Sequence, residues 1–412
     1  MRRTLQAARN LFHILFPVLG AIRYGIPGRK LRVIGITGTD GKSSTVLLTA
    51  AILRAQGYRV VHYSSISTHD GEIEMPNTRK MTMPGRMELH RFLAMSAKKG
   101  ATHAVVEVTS EGIRQNRHRM VGFAAVAVTN ITPEHIESHG SFARYRRAKL
   151  SLFRHVRAGG AIVLPEHLAE ELSPLKGAGK VFVVGTDASS FVQEADAAGD
   201  MHGSTVRIIR GQEEVRIESK LGGPFAVSNM LMATGIASVF GVPLGVVKTA
   251  IEGVSIIPGR FEVLSRHPLV IVDYAHTLKA LGELLPFVRA HSNGRLIHVF
   301  GAAGGGRDRY KRPLLAKISG ENADVSIISE ENPFDEDPKQ ITSDILAGFS
   351  DTHDVRVVPV REEAAALALT LAGKGDTVLL TAKGSETRIA GVHGSFRPYN
   401  ERTYVRCLLG TS

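Results

Sequence analysis

From Leu31 onward, short unbroken apolar runs alternate with stretches whose apolar positions recur at each helical turn. Runs of the first kind bounded by turn residues predict buried strands, and those of the second predict amphipathic helices. LRVIGIT reads as a strand, TGTDGK as a glycine-rich turn, and SSTVLLTAAILRAQG as a helix ending at Gly57. YRVVHYSS, residues 103–110, residues 124–131, AIVLP and KVFVVG read as further strands, with helices over 88–99 and 144–156. This order predicts an α/β domain with a mostly parallel sheet. Residues 204–219 alternate like a hairpin, a helix is expected over 226–240, and Ile257-Pro258-Gly259-Arg260 reads as a linker. The rhythm then restarts with LVIVDYAH, taken as the first strand of a second, Rossmann-like domain. A helix over 278–290, RLIHVFG, a helix from Arg312, DVSIIS, VRVVPV and TVLLTAKGSE follow. The expected division is a short N-terminal segment (1–30), a central domain (31–258) and a C-terminal domain (259–412).

Composition sharpens this picture. The 412 residues contain 51 Lys+Arg against 39 Asp+Glu, a net charge of +12, with 43% hydrophobic residues. That balance excludes a disordered chain and a small stapled domain. The single cysteine, Cys407, excludes an internal disulfide and a thiolate zinc cluster, and fits a reducing compartment. The excess charge raises three partners: nucleic acid, an anionic membrane surface or a polyanionic substrate. No module interleaves aromatic and basic residues to stack bases, so nucleic acid is not expected. Residues 11–22 (LFHILFPVLGAI) are apolar but too short for a spanning helix, and no signal-cleavage site follows. They read as a short helix packed on the body, with an interfacial helix on anionic lipid as the alternative.

Chemistry enters at Thr37-Gly38-Thr39-Asp40-Gly41-Lys42-Ser43-Ser44, placed between strand and helix as a P-loop must be. Glycines let backbone N–H groups approach phosphate oxygens, and the helix N-terminus adds positive potential. Lys42 is expected on the β- and γ-phosphates and the Ser43 hydroxyl on Mg²⁺. Ile36 occupies the position where the usual pattern has glycine, so the loop is a variant. Glu107 ends a later strand, a fitting place for a Mg²⁺ ligand. His135 and His139 stand one helical turn apart, a spacing shared by solvated histidines and metal ligands. RYRRAKL over 144–150 reads by itself as a basic helix face.

The ordered blocks TGTDGKSS, EVTSEGIRQNR, TNITPEHIESHGSFARYRRAKLSLF, FAVSNMLMA, PGRFE, VDYAHTLKAL, GGRDRYKRP, ENPFDEDP and AKGSE resemble the Mur ligases, ATP-dependent amide-forming enzymes of cell-wall synthesis. Within that family they look most like the UDP-N-acetylmuramoyl-tripeptide synthetases. The resemblance implies a central P-loop ATPase domain and a C-terminal Rossmann-like domain, with ATP and Mg²⁺ as cofactors. It places Gly38, Thr39, Asp40, Gly41, Lys42, Ser43 and Ser44 on the ATP phosphates, and matches Asn229, Arg260 and Asp273 to adenine, phosphate and ribose contacts. Ser43 and Glu107 would bind one Mg²⁺ and His135 a second, beside Lys149 carrying a CO₂-derived carbamate. Lys42, Glu107, His135 and Lys149 form the implied catalytic set. Thr82, Ser110, Gln115 and Arg117 match positions holding the muramoyl peptide; Arg307, Asn332 and Glu386 match those around the incoming amino acid. The implied partners are a muramoyl-peptide precursor and an amino acid, and the implied place is the cytoplasm, with peripheral membrane contact through the N-terminus.

Among the chain's departures from the family, two bear most on its substrates. The roughly 30 residues before the loop are too few for the family's uridine-binding domain. The acceptor is then expected on the central domain, carried on UDP or on lipid. The diaminopimelate-adding members have Asp-Asn-Pro-Arg where this chain has Glu331-Asn332-Pro333-Phe334, and phenylalanine cannot pair with a distal carboxylate. Acidic Asp335, Glu336 and Asp337 would suit a cationic side chain instead, unless they form a solvated loop. The competing readings are a folylpolyglutamate-synthetase-like ligase on another carboxylate, a nucleotide-binding partner without transfer activity, and a GTPase. No N-K-x-D guanine signature supports the last.

Overall fold

The computed structural model describes residues 2–78, 82–85, 87–172 and 179–410. The central domain is built on β1 (Arg32–Thr37), β2 (Val60–Tyr63), β3 (Ser67–His69), β4 (Glu74–Pro76), β5 (His103–Glu107), β6 (Phe123–Val128), β7 (Val156–Pro165), β8 (Lys180–Gly185), β9 (Val192–Gly199), β10 (Ser204–Arg210) and β11 (Glu213–Ser219). Their order is β11-β10-β9-β8-β7-β6-β1-β5-β2-β3-β4. The core from β2 to β9 is parallel, and both margins turn antiparallel. β5 and β6 are buried along their whole length, which is why both read as near-continuous apolar runs. Register aligns Ile36 of β1 with Glu107 of β5, and Thr37 with Val128 of β6. The carboxyl ends of these strands therefore converge where the glycine-rich loop leaves β1, the crevice in which open α/β sheets bind ligands.

Helices Lys42–Ala55 and Ala226–Val239 pack together over one face of this sheet. Gly235 allows the close approach, since a Cβ there would lie 2.4 Å from a Val184 methyl. On the other face, Leu89 and Leu93 of helix Glu88–Lys98 join the core containing Phe123 and Phe153. Residues 144–156 are not one helix. The helix is Phe142–Leu150, capped by the Ser141 side chain; a 3-10 turn follows, and Val156 already opens β7.

The first strand of the C-terminal domain is not LVIV but β12 (Glu262–Arg266), antiparallel to β13 (Leu269–Val272). With β14 (Leu296–Phe300), β15 (Val325–Ile328), β16 (Asp354–Val357) and β17 (Thr377–Leu380), the order is β12-β13-β17-β14-β15-β16. The five strands from β13 onward are parallel. EVLSR gives no apolar run because β12 is an edge strand. Its Glu262 is buried and pairs with Arg402 and Arg406 of helix Glu401–Leu409.

Arg361 and Glu401 form a fully buried ion pair, with Nε 2.6 Å from Oε1. Removing one partner strands the other in a low-dielectric interior. Arg361→Met is expected to destabilise this domain by about 3–5 kcal/mol, with partial recovery in Arg361→Met/Glu401→Leu. Denaturant unfolding of the two variants checks this.

Helix Arg2–Arg23 precedes the sheet. Pro17, Gly20 and Ala21 are buried, and Gly20 lies against Met87, beside helix Glu88–Lys98. The packed-helix reading therefore describes its last turns. Among the described residues no helix is long and apolar enough to cross a membrane.

Candidate active site

A cleft of about 1260 Å³ runs between the two domains over the carboxyl ends of β1, β5 and β6. The loop of residues 38–44 forms its floor. Gly38 (φ +150°) passes so close to Thr129 that a Cβ would lie 1.9 Å from its hydroxyl. Gly41 (φ +78°) lies against the Asn229 amide and precedes helix Lys42–Ala55. Asn130 braces the loop: its side-chain Oδ1 accepts from Asp40 N at 3.0 Å and its carbonyl from Thr39 N at 2.9 Å. Lys42 Nζ donates to Thr39 O at 2.7 Å and lies 4.0 Å from Glu107. Ser43 Oγ donates to Glu107 Oε2 at 2.8 Å, and Ser65 N donates to the same oxygen at 2.9 Å. A hydroxyl and a carboxylate on one spot beneath a phosphate loop suit a hard divalent cation.

Lys149 is fully buried below the loop and donates to Gly38 O. Burial, reinforced by the charge of Lys42, pushes its amine well below the usual lysine range. The lowered basicity favours the unprotonated amine, the form that can take up CO₂, so the residue present fits a carbamate.

Glu134, His135 and Asp308 bring one ligand atom each within 4.8 Å of one another, a geometry open to a cation. Burial pushes the Glu134 carboxyl up to about 7. Its Oε1 accepts from the buried Lys311 ammonium at 2.8 Å. Asp308 accepts from the backbone N–H groups of His135 and Ile136 at 2.8 and 3.0 Å. Lys311 and Asp308 belong to the C-terminal domain, so these bonds tie the domains together beside the loop. His139 does not join this cluster; its ring lies edge-on to Tyr145.

Asn229, Arg260 and Asp273 all line the cleft. Arg260 stacks over Tyr274 at 4.4 Å, and Asp273 accepts from Phe261 N and Ala275 N, each at 2.6 Å. On the far wall, Asn332 donates to Glu386 at 3.1 Å, and Glu386 accepts from Lys383 at 2.6 Å. Arg307 stacks over Phe334 at 4.3 Å. Phe334 has a left-handed backbone (φ +51°) that turns it to this wall.

Thr82 and Ser110 also line the cleft, but Gln115 and Arg117 are not part of its wall. Arg117 donates to Gln115 Oε1 at 3.0 and 2.6 Å and to Met83 O at 2.8 Å, bracing the segment next to Thr82. The acidic run is structural. Glu336 pairs with buried Arg312 at 2.7 Å, Asp337 caps helix Pro338–Leu346, and Asp335 accepts from His393 N at 2.5 Å. None of the three lines the cleft, so the run offers no contact to the side chain of an incoming amino acid. Sequence reasoning missed Asn130, Asp308 and Lys311. The latter two sit in the quoted block GGRDRYKRP, and that block was their signal.

Phosphate loop, paired hydroxyl and carboxylate, and a second Rossmann-like domain closing the cleft define an ATP-dependent ligase. Residues 36–237 match the Mur ligase middle domain, and residues 259–384 match the Mur ligase glutamate ligase domain. The chain is 33% identical over 382 residues to the UDP-N-acetylmuramoyl-L-alanyl-D-glutamate–2,6-diaminopimelate ligase of Syntrophomonas wolfei, covering 90% of this chain and 76% of that protein. It is 34% identical over 410 residues to the Xylella fastidiosa protein of the same name, covering 96% and 81%. A solved structure bearing that name superposes with a TM-score of 0.61 at 28% identity, covering 92% of this chain and 78% of the other. Mycobacterium tuberculosis folylpolyglutamate synthase superposes with a TM-score of 0.76 at 16% identity, covering 97% and 96%, a likeness of fold. The chain belongs to the Mur ligase family. It is an ATP-dependent, ADP-forming carbon–nitrogen ligase.

Proposed function

We propose that this ligase joins an amino acid to the peptide carboxylate of a muramoyl-peptide precursor of peptidoglycan, through an acyl phosphate. The observation that carries this reading is the single cleft: the phosphate loop with Ser43 and Glu107 on one side, and Arg307, Asn332 and Glu386 on the other. Loop N–H groups and Lys42 hold the ATP phosphates and stabilise charge on the transferring phosphoryl group. Ser43 and Glu107 would hold one Mg²⁺, and His135 with carbamylated Lys149 a second; these ions neutralise the phosphate oxygens when bound. Thr82 and Ser110 line the acceptor's side of the cleft, and Gln115 and Arg117 support it. The acceptor carboxylate oxygen bonds to the γ-phosphorus as the bond to ADP breaks. The amino acid's amine then bonds to the acyl carbon, phosphate leaves, and the amine loses a proton. The acyl phosphate must be kept from water. The bonds from Asp308 and Lys311 to residues 134–136 hold the domains shut over it.

For the amino acid, the relatives' names specify 2,6-diaminopimelate, but the wall here carries Phe334 under Arg307. The amino acid taken is one without a distal carboxylate. Purified protein with ATP, Mg²⁺, bicarbonate and UDP-MurNAc-L-Ala-D-Glu, or its lipid-linked form, is incubated with lysine, ornithine, neutral amino acids and diaminopimelate. Product mass is read. A product gaining one amino acid other than diaminopimelate is expected; turnover only with a folate acceptor and glutamate would replace this reading. Phe334→Arg is expected to raise kcat/KM for diaminopimelate about tenfold or more, through a charge-assisted pair with the distal carboxylate.

A further inference from the structure

We propose that the pole of the central domain opposite the cleft, together with helix Arg2–Arg23, seats this enzyme on an anionic lipid surface. The parallel strands run from this pole toward the cleft, so it is formed by the segments that enter them. Four of those segments are basic and carry no acidic residue: 24–31 before β1, 56–59 before β2, 115–122 before β6 and 151–155 before β7. Outside the cleft, which holds Lys42 and Asp40, the first 69 residues carry nine Arg or Lys and no acidic residue. Arg29, Lys30, Arg59, Arg154 and Arg157 are exposed at this pole, and among the described residues none has a carboxylate partner. Lys99 is the exception, held by Asp70 and Glu72 at 2.6 and 3.0 Å.

The helix supplies the apolar part of this surface. Leu15, Leu19 and Ile22 are 49%, 45% and 65% exposed and share one face at successive turns. Pro17, Gly20 and Ala21, on the opposite face, are buried. The helix contains no acidic residue and joins the body at this same pole, through the turn Pro27–Arg29, where Gly28 packs on the Val121 carbonyl. An aliphatic stripe beside unpaired cations matches a bilayer interface, with hydrocarbon for the stripe and anionic headgroups for the cations. Nucleic acid would satisfy the cations alone, and a second copy of this chain would bring the same positive charge against itself. Seated this way, the cleft faces the aqueous side.

The test is co-sedimentation of the full chain with vesicles of phosphatidylcholine alone, or of phosphatidylcholine with phosphatidylglycerol. The expected result is binding to the anionic vesicles only, weakened by salt. Leu15→Glu/Leu19→Glu/Ile22→Glu and, separately, Arg154→Glu/Arg157→Glu are each expected to lower the bound fraction about tenfold. Thermal unfolding and ATP binding of each variant confirm that it is folded. Equal binding to both vesicle types, no binding to either, or binding that folded variants retain would overturn the proposal. So would tighter binding to RNA than to anionic vesicles, or a solution dimer abolished by the stripe variant without any vesicle binding.

Discussion

Lys149→Met is expected to lower ATP-dependent turnover by about three orders of magnitude while leaving the protein folded. The side chain is fully buried beneath the phosphate loop, and burial together with Lys42 pushes its amine well below the usual lysine range. A neutral amine adds CO₂ with formation of an N–C bond and release of one proton, which replaces a latent cation with an anion. On the proposed reading, that anion would offset the charge of the divalent cations bound with the triphosphate. Two readouts separate this role from a structural one. Turnover of the unaltered enzyme should fall in CO₂-depleted buffer and return with bicarbonate. Labelled bicarbonate should give a carbamate signal in the carbon NMR spectrum that Lys149→Met lacks. Full turnover without CO₂ would show that the amine serves only to tie Gly38.

Glu107→Gln is expected to cost about two to three orders of magnitude in kcat. Its carboxylate accepts from both Ser43 Oγ and Ser65 N, so glutamine keeps the size but loses the charge and one acceptor. Because the loop amides remain, nucleotide affinity should change little. The apparent affinity for Mg²⁺ should weaken about tenfold or more, since a neutral amide is a poor ligand for this cation. Titration of Mg²⁺ at saturating ATP, alongside nucleotide binding without metal, distinguishes the two effects.

The phosphate loop and Glu107 stand out in the sequence for a physical reason, whereas Lys149 reads by itself as part of a basic helix face and was picked out only by the family resemblance. A phosphate loop is local: glycines, Lys42 and Ser43 must be contiguous between a strand and a helix, and the pattern shows it despite Ile36. Glu107 was legible because β5 is an unbroken apolar run that ends in a carboxylate, and Asn229, Arg260 and Asp273 came from ordered blocks. What the sequence hides is pairing at long range. Lys311 meets Glu134 177 residues away, and Asp308 meets His135 across 173. No local period announces such contacts. β12 was missed because an edge strand need not be apolar, and its buried Glu262 depends on Arg402 and Arg406, far along the chain. Asp335, Glu336 and Asp337 looked like a charge recognition element, yet a cap, a buried arginine and a loop N–H take them up. Composition cannot tell a cap from a ligand, because both use the same carboxylate.

The central claim is that the acceptor carboxylate is activated by phosphorylation in this cleft. The most direct measurement starts from a muramoyl-dipeptide acceptor whose reacting carboxylate carries heavy oxygen, followed through one round of ligation with ATP, Mg²⁺ and the accepted amino acid. The account predicts that ADP, phosphate and the lengthened peptide form in equal amounts, and that one heavy oxygen passes from each carboxylate to the released phosphate. Peptide formed with AMP and pyrophosphate, or with phosphate free of the label, would contradict it.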